Sequence, residues 1–97
     1  MRPTSGARFL LERTSPEMGA RATYAATVFT PEAEHRSIAR LGEDGTVELA
    51  PTGASPEFDE MLAMQAKLIA RGAAKRREDG LPPWPARVLR WRGPGRG

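Results

Sequence analysis

Between Ser55 and Gly80 runs the one sustained helical pattern in this chain. Ser55 suits an N-cap, Pro56 suits the first helical position, and Glu57, Asp59 and Glu60 complement the positive end of a helix. Phe58, Met61, Leu62, Gln65, Leu68, Ile69 and Gly72 then recur as one stripe of a 3.6-residue repeat. Lys75, Arg76 and Arg77 match the negative end, and Gly80 ahead of Pro82-Pro83 is a stop signal. The pattern predicts a helix over 56–78, about 33 Å long, so its far end should overhang an ordinary strand. Gly72 weakens its middle by about 1 kcal/mol, a cost that makes sense where something packs closely. One striped helix must bury its stripe on another element, and the rest of the chain is patterned for strands.

The clearest strand is Arg21 to Thr30. Tyr24, Ala26 and Val28 alternate with Thr23, Ala25, Thr27 and Phe29, and neither face carries a charge after Arg21, as expected of a central strand. Pro31 breaks it. His35 to Leu41 is a second strand, Gly42 to Gly45 a hairpin turn, and Thr46 to Leu49 the return. Ala7 to Arg13 adds a possible fourth strand, joined through the turn-forming Ser15-Pro16-Glu17-Met18-Gly19. The expected fold class is α+β: an antiparallel meander of three to four strands with the helix packed on one face. One domain over 7–92 is expected, with residues 1–6 and 93–97 loose.

A chain of 97 residues with 39% apolar content, 9 prolines and 10 glycines has little core to spare. The twelve residues Leu81 to Arg92, LPPWPARVLRWR, therefore matter most after the helix. They hold both tryptophans, three prolines, three arginines and no acid. Each tryptophan can bury about 150–250 Å², which at roughly 25 cal/mol per Å² is several kcal/mol even at half burial. That favours a docked strap over 81–92, with Trp84 and Trp91 both packed and the arginines outward or paired with the acidic strands. Two registers fit the end of the strap. A helical one aligns Trp84, Val88 and Trp91; an extended one turns Leu89 and Trp91 away from Val88, Arg90 and Arg92.

Charge is unevenly spread. Residues 1–66 carry six arginines against ten acids, and residues 67–97 carry nine basic residues against Glu78 and Asp79, within a net charge of +3. Lys67, Arg71 and Lys75 stand four residues apart along a helix edge, with Arg76 and Arg77 beside them. Arg87, Arg90, Arg92 and Arg96 continue the basic run around Trp91. Cations neutralise phosphates and aromatic faces stack on bases, so this set fits single-stranded nucleic acid. Exposed tryptophan and arginine are equally the residues of protein interfaces. Lys67, Arg71, Lys75, Arg76, Arg87, Arg90, Arg92 and Trp91 are thus the candidate partner contacts.

Chemistry beyond binding has little support. There is no cysteine, so no disulfide, thiolate or Cys-based zinc site. The lone His35 cannot close a metal site or complete a triad, and each acidic pair has a structural role at a turn, a hairpin tip or a helix start. No glycine-rich loop links a strand to a helix as a phosphate cradle would. No cofactor is expected. The longest early apolar run, Phe9-Leu10-Leu11, is too short for a signal sequence, and nothing approaches a membrane span. The expectation is a cytoplasmic, non-enzymatic interaction module, a homodimer, adaptor or inhibitor, with nucleic-acid binding as the alternative.

Overall fold

The structure is a computed structural model that describes Pro3 and residues 5–92. Five strands and one helix follow in the order β1 (Ala7–Arg13), β2 (Arg21–Phe29), β3 (Glu34–Gly42), β4 (Val47–Leu49), α1 (Pro56–Glu78) and β5 (Arg87–Arg92). The strands form one antiparallel sheet in the order β4-β3-β2-β1-β5, with α1 across one face. The α+β class is as expected, with more strands than the three to four read from sequence. The additional strand is the strap itself: β5 pairs with β1, so the extended register holds and β1 lies inside the sheet. The loose ends expected at 1–6 and 93–97 fall largely outside the described residues, although Pro3 is buried.

Alternation explains the core. Ala7, Phe9 and Leu11 of β1, Ala22, Tyr24, Ala26 and Val28 of β2, and Ala39 and Leu41 of β3 face the helix. Against them α1 presents Leu62, Ala66, Ile69, Ala70 and Ala73. The buried stripe is therefore rotated from the expected one. Leu68 is 63% exposed, and alanines at 66, 70 and 73 take the inner positions. Short side chains let the helix axis approach the sheet, and the larger residues of the wide apolar arc are left at its flank. Gly72 does accommodate a close neighbour: a Cβ built there would stand 2.5 Å from the Arg76 guanidinium.

The helix ends are fixed in different ways. Ser55 makes no side-chain cap, and the Asp59 carboxylate instead accepts hydrogen bonds from the Thr52 hydroxyl and amide in the preceding loop. At the other end the Leu81 amide bonds the Arg76 carbonyl at 2.8 Å and the Gly80 amide bonds the Arg77 carbonyl at 3.1 Å, with Gly80 at φ +77°. This paired closure needs a left-handed residue, hence glycine. The expected overhang is braced: Arg77 pairs with Glu43 of the hairpin and donates to the Met18 and Gly19 carbonyls of the β1–β2 turn. In the hairpin tip, the Asp44 carboxylate accepts from the Thr46 hydroxyl and amide, which hold its pKa below the usual carboxylate value.

Trp84 is fully buried and donates its indole N–H to the Gly19 carbonyl at 2.6 Å. Proline has no N–H, so residues 82–85 cannot pair as a strand, and their carbonyls need other donors. Three consecutive carbonyls receive one each. Arg76 Nε reaches Pro83 at 2.8 Å, Arg13 Nη1 reaches Trp84 at 2.7 Å, and the Tyr24 hydroxyl reaches Pro85 at 2.7 Å. Arg76 also donates to the Ile69 carbonyl at 2.7 Å, lying over Gly72 to do so. Trp91 departs from expectation: it is 59% exposed. Its register partner is Arg8, which faces away from α1, so strand parity turns the indole from the core.

Candidate functional site

The backbone of α1 passes close to β3 and β4 and has no close approach to β5. The resulting gap is an open groove of about 510 Å³ along the β5 side of the helix. Phe9 and Val88 form its apolar floor on the sheet, and Met61, Met64 and Leu68 line it from the helix, three to four residues apart. Met64 is 68% exposed and Leu68 63%, so these side chains border the groove without closing it. Gln65 is buried between the layers and donates to the Val88 carbonyl at 3.2 Å and the Phe9 carbonyl at 3.4 Å, tying α1 to both strands. Arg90, Trp91 and Arg92 line the β5 side, and Arg76 and Pro85 complete the lining. Arg92 leans onto the Met61 sulfur at 3.3 Å.

Among the described residues β5 is also a free sheet edge. The Arg13 amide donates to the Ala86 carbonyl at 2.9 Å, extending the β1–β5 register by one pair. In an antiparallel ladder, hydrogen-bonded pairs alternate, so residues 88, 90 and 92 turn their backbone groups toward β1. The N–H and C=O groups of Arg87, Leu89 and Trp91 consequently point outward. No acid lines the groove, and no ion pair among the described residues engages Arg87, Arg90 or Arg92.

The eight candidate contacts do not form one surface. Arg87, Arg90, Trp91 and Arg92 lie together on β5, with Arg76 close enough to share the groove lining. Arg76 is half-buried and committed to the strap, so its guanidinium is as much a clamp as a contact. Lys67 lies toward the β4 flank, in a depression with Val47, Leu49, Asp59 and Glu60, and Met64 stands on the ridge between that depression and the groove. Arg71 passes near Gly45 of the hairpin, also toward that flank. Lys75 pairs with Asp79 at 3.1 Å. Arg96 lies outside the described residues.

Sequence reasoning missed Met64 and Leu68 as lining residues: Leu68 falls in the stripe read as core, and Met64 falls outside that stripe. The available signal was the width of the apolar arc, from Phe58 through Met64 to Leu68, broader than one sheet face covers. The His35 side chain makes no hydrogen bond or ion pair among the described residues and sits beside Gly53. Among the described residues no group of three His, Asp or Glu side chains converges as a metal site, and no helix is long and apolar enough to cross a membrane. No protein-family model, curated protein or solved structure matches the chain, so the groove and its edge strand have to be read from their own chemistry.

Proposed function

We propose that this protein is a non-enzymatic protein–protein interaction module, and that the groove between α1 and β5 is where its partner docks. The observation that carries this reading is the exposure of Met64 and Leu68, each more than half exposed, along a groove whose β5 wall carries Arg90 and Arg92, with Trp91 exposed on the outer face of the same strand. Large apolar side chains in contact with water gain by being covered, and clustered exposure of this kind marks interaction surfaces. Met64 and Met61 add adaptable surface, and Trp91 with Arg90 and Arg92 adds residue types that anchor interfaces. The nucleic-acid reading has less support, because Lys67 and Arg71 lie on the flank away from Arg90 and Arg92.

Site-specific photocrosslinking in the native host tests the reading. A benzophenone side chain at Arg90, which borders only the groove, should give a discrete protein adduct, whereas the same group at Lys67 should not. Leu68→Asp should abolish the adduct without loss of folding, since Leu68 is outside the core. Equal labelling from both positions, or adducts with nucleic acid alone, would overturn the proposal.

A further inference from the structure

The groove is bordered by a strand with an unpaired edge, and that edge says what kind of segment fits. We infer that the groove receives an extended, acidic peptide segment that adds to β5 as a sixth strand. This rests on the groove being the docking surface proposed above, and three observations carry it further.

The first is the backbone. Arg87, Leu89 and Trp91 turn their N–H and C=O groups outward, and an unpaired edge is a template for a further strand. The opposite edge, β4, is only 3 residues long and offers much less. The second is space. Strands pair about 4.8 Å apart, so a strand added to β5 runs along the groove that α1 leaves by standing off β5. On the helix side its alternate residues would meet Val88, Met64 and Leu68; on the other side they would meet Leu89 and Trp91.

The third is charge. β5 carries Arg87, Arg90 and Arg92, none ion-paired among the described residues, and the groove lining contains no acid. A strand bearing Asp or Glu beside these arginines forms charge-assisted contacts. A second copy of β5 would set three more arginines against the first three, so charge opposes self-pairing here. A nucleic acid would satisfy the arginines but supplies neither the backbone ladder nor side chains for Met64 and Leu68.

The test uses the full chain and synthetic peptides of roughly ten residues, strand length. One alternates Glu with Val and Leu; a second has Lys for every Glu; a third has Ser. A fourth is the acidic peptide N-methylated at alternate residues along one edge, and a fifth along the other. Oligothymidylate serves as the nucleic-acid probe. Binding is read by peptide anisotropy and by Trp91 emission, with Trp91→Phe to assign the signal. The acidic peptide should bind at least about tenfold tighter than the Lys peptide, and methylation of one edge alone should weaken it by at least about tenfold. Arg90→Glu with Arg92→Glu should reverse the preference. If acidic, neutral and basic peptides bind alike and all shift Trp91, the acidic inference falls while the docking groove survives. If neither methylated edge matters, strand addition is wrong. If no peptide binds, or only oligothymidylate moves Trp91 emission, the docking reading falls with it.

Discussion

Trp84 and Trp91 stand seven residues apart in one strap, and the fold treats them oppositely. Around Trp84 the backbone cannot pair, because Pro82, Pro83 and Pro85 lack N–H groups. Side chains from β1, β2 and α1 come to it instead, and the indole is sealed at 0% exposure. Around Trp91 the backbone pairs regularly with β1, and pairing parity sends the indole to the face away from the helix. One half of the strap closes the core through irregular backbone, and the other offers an edge and an exposed ring through regular backbone. Two residues of the same type thus separate into structure and surface according to what their neighbours let the backbone do.

The hardest way to break this comparison is at Trp84. Trp84→Ala should cost about 3–5 kcal/mol, enough to leave little folded protein at ambient temperature, as read by urea unfolding. Trp84→Phe keeps most of the apolar contact but leaves the Gly19 carbonyl without its donor. A smaller loss of about 1–2 kcal/mol is expected for it. A tolerance of Trp84→Ala equal to that of a surface substitution would show that the strap is not part of the core.

The same end of the strap should respond to alkali. Burial pushes the Tyr24 phenol from 10 to about 12, and its hydroxyl donates to the Pro85 carbonyl. The folded state therefore holds this proton more tightly than the unfolded one. Its contribution is fully present below pH 10 and is lost as pH rises from about 10 to about 12, by no more than about 2 kcal/mol. Tyr24→Phe should lose that slope. Denaturation curves from pH 9 to 12 that coincide for the two proteins, aside from a constant offset, would contradict it.

Arg76 links the two halves, since it clamps Pro83 and also lines the groove. Gly72 makes room for it, so Gly72→Ala sets a helix-propensity gain of about 1 kcal/mol against displacement of the guanidinium. In the native background the two should roughly cancel. In an Arg76→Ala background the gain should appear nearly whole, and a double-mutant cycle measures the difference. Strict additivity would mean that Arg76 does not depend on the space at Gly72.

Much of this fold is visible in the sequence because its elements obey single local rules. The helix runs over 56–78 as its caps and charges indicate, and β2 and β3 follow alternation closely. What is not visible depends on tertiary choice. Leu68 and Ala66 share the helix, and only the close approach of α1 to the sheet makes the alanine inner and the leucine outer. The Thr52–Asp59 contact, and not a Ser55 side-chain cap, ties the helix start to its loop because the loop returns there. The candidate contacts scatter for the same reason. Lys67 and Arg71 are neighbours of Met64 and Leu68 along the chain, yet they turn to the flank with Asp59 and Gly45. Trp91 is read as core from its type and as surface from its register, and register exists only once β5 has chosen β1.

Trp91 gives a smaller effect on stability than Trp84 and the sharpest contrast. Trp91→Ala should lower unfolding free energy by about 1–2 kcal/mol, well below the loss at Trp84, because the ring is 59% exposed and only its remaining contact area is lost. Fluorescence separates the two indoles on the same samples. The native protein should emit as the sum of a buried and a wet indole, and Trp91→Phe should leave the blue component alone. That component should resist acrylamide quenching until the chain unfolds, since the Trp84 ring is sealed. A large stability loss at Trp91, or a single blue emission in the native protein, would mean that the outer half of the strap is buried in solution. The outer face of β5 would then already be covered, and its edge no longer open to a further strand.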